Sequence, residues 1–425
     1  MSKKQTTVIV GGGIIGASAA FFISRHPSFD PQNHEIVLIE AVAPACSASG
    51  KAGGLLSKTA FPQSLGPLSF ELHAQLAKEF DGENLWGYRR LSTLSISGTD
   101  KPECSPVSLP EELGWLKPNI VESVDYIGGP EEFAQVHPFY LTNFMLDHLQ
   151  KKGVLKVLNG KVTELLGNQD GECIGVTYIP NPNTSSSFVP SIVEGSANVH
   201  NVQKLINVQG PNSQNNIPNQ SSYLNGGVSE RIFADTVIVA AGPWTKRLIS
   251  ECPILGIKVP SITVKPTEPV GAYALFTDLN LGEFGRVSPE VYPRRDEIYI
   301  CGESSDDPLP ETADLITVDD RYAEAIYQYG SALSDRIGNG QINIKQACYL
   351  PVVDSPYTSG PFVGRSNVRN LMIATGHTCW GINNAPATGL LLAEILFEGR
   401  AHTVNARGLT PAAFFDSSKA LTIIE

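Results

Sequence analysis

The sequence predicts an α/β fold in two interleaved lobes: a Rossmann-like lobe built on a parallel sheet, and an α+β second lobe built on an antiparallel sheet. Three observations carry this. Val8-Ile9-Val10 runs directly into Gly11-Gly12-Gly13-Ile14-Ile15-Gly16, a Gly-x-Gly-x-x-Gly turn. A second apolar run, 36–39, ends in Glu40. Residues 257–305 then alternate short strand-like runs with turns, the pattern of an antiparallel sheet.

The first strand, turn and helix set the pattern. Gly11 permits the tight turn, Gly13 lets the backbone approach a pyrophosphate, and Gly16 lets the helix pack close to the strand. Phosphates would sit on the free N–H groups around Ile14 and Ile15, at the positive end of the helix. Glu40 lies at the spacing of a carboxylate that holds a ribose hydroxyl. Residues 41–56 are rich in Ser, Ala and Gly, suited to donating N–H and O–H groups to phosphate or ring atoms. Leu55-Leu56 bring that segment back to the core.

Residues 68–80 have helical periodicity, and His73 within them reads as a packing or surface residue. Gly87-Tyr88-Arg89-Arg90 leads into a strand at 91–97. Residues 98–130 are rich in Pro, Glu and Gly and read as loops over the second lobe. A helix is expected near 140–152, a strand and turn at 153–160, and strands at 161–166 and 173–178. Residues 180–230 are polar and poor in aromatics, and read as a long, partly disordered insertion with chance sequons at Asn183 and Asn219. Residues 234–239 form a β-branched buried parallel strand. It leads into Ala240-Ala241-Gly242-Pro243-Trp244, a turn at the end of the sheet where nucleotides bind. A helix is expected at 320–337. Residues 371–389 repeat the strand, glycine turn and helix, and this second helix N-terminus favours negative charge at the same site.

The bulk numbers exclude several classes. The 425-residue chain is long enough for two lobes, and 42 % hydrophobic residues suit a globular protein. The net charge of −12 disfavours nucleic acid and anionic membranes as partners. Seven scattered cysteines, with no Cys-x-x-Cys, point to a reduced chain without a metal site. No stretch is long and apolar enough to span a bilayer, so the expected location is the cytoplasm.

The residues at 11–16 with Glu40, and the blocks 47–56, 237–244, 297–303 and 374–389, together resemble the FAD-dependent oxidoreductases of the D-amino-acid oxidase superfamily, the glycine and sarcosine oxidases among them. Three stretches are similar to a fungal subfamily of oxidoreductases, one yeast member of which is linked to late endosomes. They are Ser49-Gly50-Lys51-Ala52-Gly53-Gly54-Leu55-Leu56, Gly87-Tyr88-Arg89-Arg90-Leu91, and residues 376–389. The resemblance implies FAD rather than NAD, and peripheral endosomal association besides the cytoplasm. It implies that residues 1–85, 134–250 and 344–425 form the FAD-binding domain, with 86–133 and 251–343 forming the substrate domain. Carried over by position, Gly11, Gly13, Ile14, Ile15 and Gly16 hold the pyrophosphate and Glu40 the ribose. Ser49, Gly50, Gly53 and Leu55 lie near phosphate or flavin, and Val162 borders the adenine. Ala241, Gly242 and Trp244 flank the dinucleotide. Gly376, His377, Gly381, Ile382 and Asn383 face the isoalloxazine.

The implied reaction is oxidation of a C–N bond of a small-molecule amine or amino-acid-like substrate, with hydride transfer to flavin. The sequence departs from the family in one telling place. Where amino-acid oxidases carry an Arg that clamps the substrate carboxylate, this chain has Leu350. Arg294 or Arg295, after Tyr292 on the second sheet, is the expected replacement. Cys348 lies near the position of a flavin-bonded cysteine in the sarcosine-oxidase branch, offset by one residue. No general base stands out; His377 and Trp380 are the candidates for shaping the site. The alternative reading is a flavin-bound scaffold in endosomal trafficking with little turnover.

Overall fold

The computed structural model describes residues 4–101, 108–181 and 228–424. Residues 182–227 of the expected insertion, with both sequons, lie outside the described residues. No helix of the described residues is long and apolar enough to cross a membrane.

The β-branched runs read from the sequence form the centre of a nine-stranded sheet. Five parallel strands lie side by side in the order Leu155–Gly167, His34–Glu40, Gln5–Val10, Thr236–Val239, Leu371–Thr375. Numbered along the chain, this is 3-2-1-4-5, a doubly wound order that reverses between Gln5–Val10 and Thr236–Val239. Val8, Ile9, Val237, Ile238 and Ile373 are fully buried because both faces of the sheet are covered. On one face lie the helices Ile14–Arg25, Pro138–Lys151 and Gly381–Glu398, sharing a single hydrophobic core with the sheet.

A second sheet runs in the order Gln341–Val353, Ile254–Lys265, Ile298–Cys301, Glu290–Pro293, Tyr273–Leu281, Ser92–Thr99, Val121–Gly128. The helix Asp320–Leu333 closes its core through Ala323, Ile326, Tyr329 and Leu333. Four sequence expectations change here. Within 98–130 lies the strand Val121–Gly128, which the alternation test misses because only its two ends are buried. No turn separates 153–160 from 161–166; Leu155–Gly167 is one strand. The sheet is not wholly antiparallel, since Tyr273–Leu281 pairs in parallel with Ser92–Thr99. Residues 344–353, grouped from sequence with the nucleotide-binding lobe, pair with Ile254–Lys265 in the second sheet.

The helix Gly381–Glu398 begins in a locally rewired turn. Pro386 has no N–H, so the Ile382 carbonyl four residues earlier loses its helical donor. His73, on the helix Gly66–Glu79, replaces it: Nε2 donates to Ile382 O at 2.9 Å and approaches Asn383 O at 3.2 Å. Ser69, one turn earlier, accepts the Ala387 N–H at 3.1 Å. A carbonyl acceptor fixes the His73 tautomer, with the proton on Nε2. Burial lowers the His73 pKa from the ordinary 6.5 to about 4.

The sign of the resulting pH dependence follows. The folded chain keeps His73 neutral while the unfolded chain takes up a proton, so stability is full above pH 6.5 and falls as pH drops towards 4. One histidine contributes about 1.4 kcal/mol per pH unit in that window. His73→Gln retains a donor for Ile382 O but has no proton to gain. Urea denaturation at pH 6.5, 5.5 and 4.5 is expected to show a shallower loss for H73Q than for the wild type. Equal slopes would remove this account.

Candidate functional site

The reversal of strand order opens a crevice at the carboxyl ends of Gln5–Val10 and Thr236–Val239, the place where doubly wound sheets bind ligands. A cavity of about 350 Å³ occupies it. Its floor is the first glycine turn. Gly11 has φ +110° and donates its N–H to Ile39 O at 2.8 Å; a Cβ there would sit 2.5 Å from Ala240 O. The two strand exits can therefore lie this close only with glycine. A Cβ on Gly16 would sit 2.0 Å from Gly11 O, so Gly16 seats the helix Ile14–Arg25 on the turn and does not line the cavity.

Polar groups converge on one end. Glu40 accepts Gly12 N–H at 2.7 Å on one oxygen and Val42 N–H at 2.9 Å on the other. Burial raises its pKa, against the pull of the Val42, Gly12 and Ala41 backbone groups. Ser49 Oγ accepts the Ile14 N–H at 2.9 Å, at the mouth of the helix Ile14–Arg25. Ser47 Oγ lines the same wall, is buried, and has no hydrogen-bond partner. A helix N-terminus and an orphaned hydroxyl as donors, with a carboxylate as acceptor, fit the phosphates and ribose of a dinucleotide.

The second glycine-containing turn lines the same cavity. His377, Thr378, Cys379, Gly381 and Ile382 bring in the start of the helix Gly381–Glu398, with Leu350 and Pro351 beside them. Thr378 is a β-branched residue at φ +51°, a left-handed conformation that such residues rarely adopt. His377 is buried, with Nε2 3.0 Å from Thr388 Oγ1, and burial lowers its pKa to about 3. It is therefore neutral near pH 7 and a weak base.

Of the residues expected from sequence, Gly11, Gly13, Ile14, Ile15, Glu40, Ser49, Val162, Ala241, Gly242, Trp244, His377, Gly381 and Ile382 line this one cavity. Gly50, Gly53, Leu55, Gly376, Asn383, Trp380, Arg294 and Cys348 are not in its lining. Each has a physical reason. A Cβ on Gly50 would meet Ala45 O at 2.0 Å, and one on Gly53 would meet the Tyr292 ring. Leu55 pairs with Gln135 in a small three-stranded sheet. Gly376 packs under Val353. Asn383 turns inward, its Oδ1 accepting Ser57 N–H at 2.9 Å. Trp380 is half-buried at the end of the 3-10 turn Thr378–Trp380, between the lining residues Cys379 and Gly381.

Arg294, the expected carboxylate clamp, is already engaged. Its guanidinium donates to Glu297 and to Ala52 O, both at 2.7 Å, and lies 3.3 Å from His137 Nε2. Burial opposes ionisation of Glu297, yet His137, Arg294 and Asn343 hold its carboxyl well below the usual range. Cys348 is buried opposite Val259, and burial pushes its thiol up to about 11.

A strap across residues 302–316 was not visible in the sequence. It contributes Glu311, Thr312 and Ala313 to the cavity wall. Trp244 Nε1 donates to Pro310 O at 2.8 Å, and Arg247 donates to Leu309 O and Pro310 O, both at 3.0 Å. The Glu311 carboxylate pairs with both Lys161 and Arg247, which also line the cavity.

Comparison with known proteins places this site in context. The family model described as FAD dependent oxidoreductase matches residues 6–395. TDA3 of Saccharomyces cerevisiae is 32 % identical, over 98 % of this chain and 96 % of its own length. C1F5.03c of Schizosaccharomyces pombe is also 32 % identical, over 97 % of this chain and 99 % of its own. Both are named as candidate oxidoreductases. Among solved structures, glycine oxidase from Geobacillus kaustophilus superposes with a TM-score of 0.67 at 17 % identity, covering 96 % of this chain and 98 % of that one. The likeness to it is one of fold.

Proposed function

Since this chain belongs to the family of FAD-dependent oxidoreductases, we propose that it oxidises a C–N bond of an amine or a modified amino acid. FAD, when bound, supplies the hydride acceptor. The observation that carries the reading is that one cavity is lined both by the anion-binding groups of the first glycine turn and by the start of the helix Gly381–Glu398.

The residues divide the work accordingly. Backbone N–H groups at Gly13 and Ile15 would hold the pyrophosphate, beside the Ile14 N–H that Ser49 Oγ accepts, with Ser47 Oγ donating to the same group. Glu40 accepts from the ribose hydroxyls, and Val162 borders the adenine. Ala241, Gly242 and Trp244 flank the dinucleotide, while Gly381 and Ile382 present N–H groups to the ring. Leu350 and Pro351 exclude water beside the reacting carbon. FAD is held without a covalent bond, since Cys348 is not among the residues that line the cavity.

Anaerobic titration of the purified yellow protein with a panel of amines and N-alkyl amino acids tests this. At least one amine is expected to bleach the flavin absorbance, and acid precipitation to leave all colour in the supernatant. The second reading, a flavin-bound scaffold at endosomes with little turnover, is favoured by His377, whose neutral burial leaves that candidate a poor base. A panel in which no amine bleaches the flavin selects the scaffold.

A further inference from the structure

The strand Gln341–Val353 meets the cavity edge-on, because Leu350 and Pro351, which alternate to opposite faces of the sheet, both line it. The turn Thr378–Trp380 packs against the same strand. The two faces of the strand are finished differently. On the Pro351 face the strap at 302–316 is packed down. Tyr349 Oη donates to Pro308 O at 2.9 Å, and Lys258, opposite Tyr349, pairs with Asp307 at 2.7 Å. A Cβ on Gly256, opposite Pro351, would meet Leu309, Tyr349 and Pro243 at 3.2–3.3 Å, so that face is filled. On the Leu350 face the register sets Leu350 opposite Ile257 and Val352 opposite Leu255, which makes the four side chains neighbours. They lie open. Leu255 is 43 % exposed and Ile257 39 %, and Leu350 and Val352 are half-buried. Two residues inward the face closes where buried Cys348 stands opposite Val259. All six residues are apolar, so the face offers no charged group.

We propose that this open face seats the hydrocarbon chain of the substrate, so that the protein takes an amine with an unbranched apolar chain and no α-carboxylate. The proposal rests on the C–N oxidation reading and narrows its substrate class. Leu350 belongs to both the cavity and the face, which makes the face an extension of the cavity rather than a separate surface. The face is too small for a protein partner. Four side chains, none more than 43 % exposed, fall well short of the about 800 Å² per partner in a stable interface. It suits a small apolar group, the kind that ligand sites line with hydrophobic side chains. From Leu350 to Val352 it runs about 7 Å, the reach of a chain of roughly five or six carbons. A carboxylate laid against it would lose water and meet no cation. Leu350 and Ile257 touch the substrate, and Leu255 and Val352 carry the face outward.

The probes are ethylamine, propylamine and pentylamine, with both enantiomers of norleucine, which is pentylamine carrying an α-carboxylate. Affinity for the FAD-loaded protein is read anaerobically. It comes from the concentration dependence of flavin bleaching or, where none occurs, of the shift in the flavin spectrum. Affinity is expected to rise about two- to fourfold with each added CH₂, and pentylamine to bind at least about tenfold tighter than norleucine. I257N puts an amide on the exposed face. It is expected to weaken pentylamine about fivefold and to shrink the gain per CH₂, with FAD content unchanged. L350R is expected to reverse the preference, gaining norleucine and losing pentylamine. Equal affinity along the amine series, pentylamine affinity unchanged in I257N, or norleucine binding tighter than pentylamine to the wild type overturns the proposal. A flat series together with a wild-type dimer that dissociates in I257N, read by sedimentation, overturns it in favour of a second copy on this face. A flat series in which the amines still bleach the flavin removes the chain site and leaves the oxidation reading standing. A rising series with no bleaching by any amine leaves the chain site standing and removes the oxidation reading instead.

Discussion

Gly13→Glu protein is expected to fold, to melt within a few degrees of the wild type, and to purify without colour. The backbone tolerates the change. Gly13 precedes the helix Ile14–Arg25 with φ −74° and ψ 177°, ordinary extended geometry for any residue. Its Cβ would meet only the end of the Ser49 side chain, at 2.9 Å. An acidic residue beside a free helix N-terminus is electrostatically welcome in the apo chain. The damage falls on the ligand. The new carboxylate projects into the cavity and takes the anion's place on the helix amides, where a pyrophosphate would then face like charge at low dielectric. A loss of about 4 kcal/mol, roughly a thousandfold in FAD affinity, is the expected order. The flavin-to-protein ratio after reconstitution reads it, with circular dichroism as the control for folding. A fully flavinated G13E protein would mean that the phosphates lie elsewhere.

What the sequence made legible follows from how local each signal is. The turn at 11–16, Glu40 and the strand into Ala241 are each written in consecutive residues, and the parallel order of their strands follows from βαβ connection rules. Asn383 was misplaced toward the ring because helix periodicity cannot show that Pro386 frees a carbonyl and that the opened turn is buttressed from Gly66–Glu79. Arg294 is an expected carboxylate clamp, but its partners Glu297 and Ala52 come from a hairpin closure and from a segment 242 residues away. Ser47 passed as one small residue among many in a Ser, Ala and Gly stretch; only its orphaned hydroxyl distinguishes it. The triad of Lys161, Arg247 and Glu311 joins three strands of evidence that lie far apart in the chain, and no spacing rule links them.

Trp244→Ala is expected to release FAD at least tenfold faster than the wild type, and Glu311→Gln to do so by only a few-fold. Both residues latch the strap at 302–316 over the cavity, but by different physics. The Glu311 side chain is 50 % exposed and its partners Lys161 and Arg247 are 22 % and 35 % exposed. Ion pairs so placed contribute about 0–1 kcal/mol, a factor of roughly five at most, and salt screens them. Trp244 combines a hydrogen bond to Pro310 O with packing against a cluster of Ala347 and Tyr349, to which the strap adds Leu309, Ala313 and Ile316. Truncating a well-packed Trp typically costs about 3–5 kcal/mol, and a part-buried one about half that, which is tenfold or more in the opening rate. The two contributions separate by ionic strength. FAD release, followed by flavin fluorescence after dilution, is expected to quicken with added salt in the wild type and in W244A. In E311Q it is expected to be nearly independent of salt. The strap would lose its retaining role if W244A held FAD as long as the wild type while its melting temperature fell.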